Sequence, residues 1–236
     1  GAMIDLQTEL PQTAFAFMLV LARVGAAMAM LPGLGETGVL TVVRTGLALA
    51  VSLLLLPSLA PAMPVAPVAS LTAAGMIGAE VVTGLWFGWL ARLLALALPT
   101  ATQIIAYMLG LSNVLQTDQE LGPQSTVLAR LGALAAPTLI LATDLYRYPL
   151  ASLGGLYRLI PAGTLLPAAD GVQMATAAVA ETFALAFRLA SPFILAAIVW
   201  NLAVGLAARL VPRVQVYFVA MPGQILGGLL LLTILA

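Results

Sequence analysis

The chain has 236 residues, of which 62% are hydrophobic and only 8% charged, with nine basic residues balancing nine acidic ones. Its mean hydropathy of +1.11 is beyond what a soluble core could accommodate, so the sequence predicts a membrane-associated protein. Cysteine and histidine are both absent, which removes disulfides, thiolate and Ser-His nucleophiles and histidine metal sites; no catalytic, cofactor-binding or metal residue is expected, and no nucleic-acid partner.

Gly1 and Ala2 ahead of Met3 read as a remnant of tag removal, which puts the natural start at Met3. Met3 to Gln12 carries Asp5 and Glu9 with no basic residue, the wrong charge for the leading region of a signal peptide, so the apolar run behind it is expected to stay in the chain. The apolar runs are then Phe15 to Leu31, Val39 to Leu59, Leu71 to Leu98, Thr100 to Leu115, Thr126 to Leu145, Ala175 to Leu210 and Val214 to Ala236. All read as helices, giving an all-α class. A bilayer crossing takes about 20 apolar residues; the first run is shorter than that and Ala175 to Leu210 far longer. Pro192 is expected to kink or split that long run, and Pro99, Pro137 and Pro222 to break others. The linkers predicted from Pro and Gly content are Pro57 to Ser70, the polar loop that opens SNVLQTDQELGPQSTVLAR at Ser112, and Arg158 to Gly171.

All nine basic residues are Arg. Arg23, Arg44, Arg92 and Arg188 fall inside apolar runs, as do Glu80 and Glu181. A charge at the bilayer centre costs at least about 2.5–3.5 kcal/mol and usually faces protein or an aqueous path, so these positions, with Asn201, are expected to pair with neighbouring helices or to line a transport pathway. Glu181 and Arg188 are seven residues apart, hence on one helix face about 10 Å apart. The placement of Arg leaves membrane topology nearly unreadable, with Arg209 and Arg213 the best cytoplasmic-side candidates. Gly84 with Gly88, and Gly223 with Gly227, have the spacing that permits close helix approach. Met28, Met30, Met76 and Met108 read as core filler.

Three blocks in order resemble one family. ARVGAAMAMLPGLGETGVLTVVRTGLALAVSLLLLPSLAP, QIIAYMLGLSNVLQTDQELGPQSTVLARL and NLAVGLAARLVPRVQVYFVAMPGQILGGLLLL are similar to the first hairpin, the helix–polar loop–helix segment and the aromatic-rich return of the FliR/SctT family. The resemblance implies a single export-gate domain over 1–236, a FliP-like helical part at 3–170 and a FliQ-like hairpin at 171–236, made of kinked, broken helices. It implies a subunit of a type III protein export gate, flagellar or, in the alternative, of a virulence injectisome. Partners would be FliP-like, FliQ-like and FlhB-like membrane subunits and exported unfolded proteins, in the bacterial inner membrane at the flagellar basal body. The polar loop would then be a pore plug comprising Gly110, Ser112, Asn113, Gln116, Thr117, Asp118, Gln119, Glu120, Gly122, Pro123, Gln124 and Ser125, and the intramembrane charges would serve assembly. Where many members carry a Gly-His pair, this chain reads ATDLYRYPL from Ala142 to Leu150, and it ends at Ala236 without the polar tail of some members.

Two other classes stand beside that reading. A small-molecule transporter would use intramembrane charges and broken helices at a central site, but no pair of similar halves is visible. An intramembrane protease would need more context than Asp118 and Asp144 have, and a zinc HExxH site is impossible without histidine.

Overall fold

The computed structural model describes residues 2–36, 38–110, 127–210 and 216–235. Among these the chain is all-α, with no strand. The helices are α1 (Ala2–Met30), α2 (Thr41–Leu59), α3 (Ser70–Ala95), α4 (Ala97–Met108), α5 (Val127–Ala142), α6 (Arg147–Leu159), α7 (Ala168–Leu210) and α8 (Val216–Leu235), with one 3-10 turn at Ala60–Ala62. Four stretches are long and apolar enough to cross a membrane, namely Leu10–Met30, Thr41–Ala62, Ser70–Met108 and Ala168–Leu210, and α5 with α6 form a fifth if their broken pair counts as one crossing. The protein is a multi-pass membrane protein.

The predicted runs coincide with seven of these helices, but not every expected proline break is present. Pro192 does not split α7, and Pro137 and Pro222 lie inside α5 and α8 without ending them. A ring at 192 removes the N–H that would bond the carbonyl of Arg188, and the Ser191 hydroxyl donates to that carbonyl instead, at 2.8 Å. Such local substitutes let apolar helices tolerate proline. The break near Pro99 is real but small: Leu96 alone separates α3 from α4, and Pro99 falls in the first turn of α4, where a missing N–H costs little. Helix α6 was not expected. Its apolar residues Leu150, Leu153, Leu156 and Tyr157 form a narrow stripe on a short helix with Arg147 and Arg158 at its ends, so it lacks the continuous apolar run that marks the others.

The chain divides into two compact units, 1–95 with 137–179 and 96–136 with 180–236. In the first, α1 is the central helix. In its apolar window 44% of residues are buried, against 11% in that of Thr41–Ala62, which makes α1 the more enclosed of the two. Leu19, Val20, Val24, Ala27 and Met28, with Leu31 just past its end, share one face at helical spacing and meet Ala48 and Leu59 of α2 and Leu153 and Tyr157 of α6. Met28 is fully buried and Met76 packs against this core, in the filler role expected of them. Gln12 of α1 fixes the Pro-rich α2–α3 connection: its side-chain N–H donates to the carbonyl of Pro64 at 2.8 Å, and its carbonyl accepts from the N–H of Ala66 at 2.7 Å. In the second unit, Ile105 and Leu109 of α4 pack with Ala190 and Phe193 of α7, and Leu231 and Leu232 of α8 close over them.

Helix α3 lies parallel to α1 and touches it through glycine. A Cβ at Gly84 would collide with the backbone oxygen of Arg23 and stand 2.9 Å from Cβ of Ala26; at Gly88 it would stand 2.5 Å from the oxygen of Ala27 and 2.7 Å from Cβ of Met30. The spacing of these two glycines therefore serves a backbone-to-backbone seam. The second pair behaves differently: a Cβ at Gly223 would stand 2.9 Å from the Trp200 ring, whereas one at Gly227 would meet nothing within 4 Å. Gly84→Ala should accordingly lower stability by about 1–3 kcal/mol, because the colliding atoms are backbone and cannot rotate away. Gly227→Ala should be neutral or gain up to about 1 kcal/mol from helix propensity. Thermal unfolding of the two variants in the same detergent checks this, and equal effects would contradict the seam.

Candidate functional site

The first unit holds a closed polar node at its centre. Arg23 of α1 and Glu80 of α3 are both fully buried. The Arg23 guanidinium grips the carboxylate with two donors, Nε to Oε2 at 2.6 Å and Nη2 to Oε1 at 3.0 Å. Nη1 donates to the carbonyl of Ile160 at 2.9 Å, and Nη2 also reaches that of Pro161 at 3.5 Å. Glu80 in turn accepts from the Tyr157 hydroxyl at 3.2 Å and from the N–H of Gly163 at 2.6 Å. The guanidinium carbon also stands 3.8 Å from the centre of the Tyr157 ring, a cation–π contact. Each nitrogen of the guanidinium and each oxygen of the carboxylate thus has a hydrogen-bond partner, which is the condition under which a buried pair is tolerated.

The sequence dictates this locally. Ile160 follows the last residue of α6, where backbone carbonyls have no helical partner, so the end of that helix offers acceptors to Arg23. Pro161 to Thr164 form a turn closed by the Thr164 N–H on the Pro161 carbonyl at 3.2 Å, with Gly163 at φ +77°, the left-handed position that glycine fills at the third place of a type II turn. The same turn points the Gly163 N–H at Glu80. A side chain at 163 would also strike Met76.

Two more arginines bind the α1–α2 loop. Arg44, half-buried on α2, donates to the carbonyls of Leu34 at 3.0 Å and Glu36 at 2.9 Å. Arg92 of α3 stands 3.6 Å from the Glu36 carboxylate, with both side chains more than a third exposed, and contributes no more than about 1 kcal/mol in such a setting. Glu181 and Arg188 lie exposed on α7. Asn201 donates to the carbonyl of Ala197 on its own helix at 2.8 Å and borders a shallow groove with Trp200, Val204, Ala220, Met221 and Gln224. Among the loop residues, Gly110 is described: it ends α4 at φ +71°, and its N–H donates to Tyr107 at 3.1 Å. Ser112, Asn113, Gln116, Thr117, Asp118, Gln119, Glu120, Gly122, Pro123, Gln124 and Ser125 lie outside the described residues.

Tyr157, Gly163 and Gln224 were not singled out in the sequence. Tyr157 belongs to the unexpected helix and Gly163 to a stretch read as a linker; the available signal was an Arg fork inside an apolar helix that had to find acceptors. Gln224 lies between Gly223 and Gly227, and its side-chain N–H donates to the carbonyl of Met108 at 2.7 Å, holding the last turn of α4 beside Gly110.

Removing one member of the node strands the other charge in the core. Arg23→Ala or Glu80→Ala should each cost about 3–5 kcal/mol, whereas Arg23→Met with Glu80→Leu should cost much less than either, because no uncompensated charge remains. A double-mutant cycle on unfolding temperature in detergent measures this; additive losses would contradict the pair. Arg44→Ala should lose only about 1 kcal/mol for each bond released.

The sequence matches the family described as Bacterial export proteins, family 1, over residues 14–236. It is 36% identical over 219 residues to the flagellar biosynthetic protein FliR of Caulobacter vibrioides, covering 92% of this chain and 86% of that one. The FliR proteins of Escherichia coli K12 and Pectobacterium carotovorum are 28% and 25% identical, over 91% and 98% of this chain and 82% and 86% of theirs. With the match running from within α1 past the end of α8, the chain belongs to the bacterial export proteins of family 1.

Proposed function

We propose that the protein is a subunit of the bacterial flagellar type III protein export gate. With FliP-like and FliQ-like chains, and beside an FlhB-like subunit, it forms the pore through which unfolded flagellar components are exported. Its place is then the inner membrane at the flagellar basal body, with residues 3–170 as the FliP-like part and 171–236 as the FliQ-like hairpin. What carries this reading is the extent of the family match, 14–236, which takes in the buried node, the polar loop and the last two helices together. The flagellar name of the three relatives favours the flagellar over the injectisome system.

In this reading the segment Gly110 to Ser125 is the plug of the closed pore. Its Ser, Asn, Gln, Asp and Glu side chains offer hydrogen-bonding groups when the gate opens, and nearby Leu or Met residues complete the seal. Arg23, Arg44, Glu80 and Arg92 shape the chain for assembly, and Glu181, Arg188 and Asn201 belong to surfaces used in it.

Co-expression with FliP-like and FliQ-like subunits, followed by mass determination of the intact complex, tests the assembly. One complex containing all three is expected, with the lone chain poorly behaved in detergent. A stable, functional chain recovered alone or only with copies of itself would contradict the proposal. Deleting Leu115 to Gly122 should leave that complex intact and make membranes leak small ions; an intact complex with unchanged permeability would return the loop to a plain surface connection.

A further inference from the structure

The apolar helix α8 carries a single amide side chain, Gln224. An amide in such a setting is costly unless it is hydrogen-bonded, and this one finds its partner on another helix: its N–H donates to the carbonyl of Met108 at 2.7 Å. Met108 is the last residue of α4, where carbonyls run out of helical donors, so α8 caps α4. One turn along, Gly228 lies on the same face of α8 as Gln224. A Cβ there would collide with the end of the Leu109 side chain and stand 2.9 Å from its Cγ. Leu109 therefore fills a notch that only glycine leaves open.

Both ends of the polar segment rest on one platform. Leu109, 4% exposed, packs with Ile105, Ala190 and Phe193, and Leu128 in the first turn of α5 packs against the same cluster. Farther back, α4 and α5 are held close as well, since a Cβ at Gly132 would stand 3.0 Å from Cβ of Thr102. Drawing Leu109 off the platform would empty the notch and leave a void in the cluster, a costly change in a packed core. Gly110 is different. It already holds φ +71°, and among the described residues a Cβ on it would meet only Gln224 Nε2, at 4.0 Å. The first place where the chain can turn without losing packing is thus Gly110, and the cap on Met108 sets the direction from which it starts.

We propose that Gln224 is a positioning residue for closure of the gate. With Gly228 it makes α8 the fixed mount of α4, which stays in place while the segment beyond Gly110 is displaced. The inference deepens the export-gate reading and rests on it, and on the plug role given there to Gly110 to Ser125.

The test uses the full chain assembled with the FliP-like and FliQ-like subunits and reconstituted in vesicles loaded with potassium ions, whose escape is read per complex recovered. Gln224→Met keeps the length of the side chain and removes the donor; leak should rise about three- to tenfold, the population shift expected from one net hydrogen bond. A covalent mount should then replace the lost bond. The chain has no cysteine of its own, and with Leu109 Cγ 2.9 Å from a Cβ at Gly228 the two Cβ atoms of Leu109→Cys and Gly228→Cys lie within about 4.4 Å, a separation that a disulfide spans. In the Gln224→Met background, the complex oxidised with diamide should be as tight as wild type and should leak again when dithiothreitol reduces it. Because the same assembled complex is read before and after reduction, poor assembly of the variant cannot imitate this result. Export through the oxidised complex should persist, since the mount does not move. A Gln224→Met complex as tight as wild type, a leak that the cross-link does not suppress, or export abolished by oxidation would each overturn the proposal, provided that deletion of Leu115 to Gly122 leaks in the same vesicles. A deletion that does not leak defeats the plug reading itself, and the mount with it.

Discussion

An arginine and a glutamate with no access to water stand at the centre of the first unit, and the arrangement around them follows from the need to neutralise them. Taking both out of water costs several kcal/mol each even after relaxation, and their mutual attraction alone does not settle that debt. The rest comes from four groups of one stretch of chain, the carbonyls of Ile160 and Pro161, the Tyr157 hydroxyl and the Gly163 amide. The consequence is architectural. The end of α6 and the turn after it must come to α1 and α3 at one place and in one orientation, or the two charges are left without enough partners. Replacing the pair by well-packed apolar side chains would be tolerable energetically, so what the charges add is a geometric requirement that apolar packing does not impose.

The charged residues of the apolar helices meet three different fates, and the surroundings decide each. Arg23 and Glu80 satisfy one another. Arg44 and Arg92 sit where the α1–α2 loop exposes carbonyls and a carboxylate, so that they act as clasps on irregular backbone at the edge of the unit. Glu181 and Arg188 look outward from a helix whose opposite face is already filled. Counted by sequence alone, all six would be equivalent anomalies. Distance from irregular backbone separates them: the first four have loop or turn groups within reach, and the last two lie deep in the 43-residue α7.

Much of the helical plan was legible because an apolar run in a membrane chain has few alternatives: its backbone must bond to itself. Boundaries of α2, α3, α5 and α8 fall within three residues of the runs for that reason. Proline misled because its usual effect assumes that the freed carbonyl stays empty, and at Pro192 a neighbouring serine fills it. Helix α6 escaped notice because its apolar stripe is narrow, with Leu153 and Tyr157 buried and both ends charged. The node was half visible. Arg23 and Glu80 are conspicuous residues, but they are 57 positions apart, and local spacing carries no information about such a meeting. Their neutral partners were invisible altogether, since two of them are backbone carbonyls and one a backbone amide. The polar loop stood out by composition alone, which says that it differs from its surroundings and nothing of where it goes.

The glycine seam between α1 and α3 has a consequence for how the two helices find each other. Glycine has no rotamers to lose on contact, so the pairing of preformed helices carries almost no side-chain entropy cost and gains dispersion along the whole touching surface. It also fixes register. Sliding α3 by one turn, about 5.4 Å, would drive the side chains flanking Gly84 and Gly88 into the backbone of α1 and carry Glu80 away from Arg23. Steric fit and charge pairing therefore select the same alignment independently, one through repulsion at short range and the other through attraction at longer range. A helix pair aligned twice over in this way has few misaligned states of comparable energy, and the seam can form correctly before the α6 turn arrives to close the node.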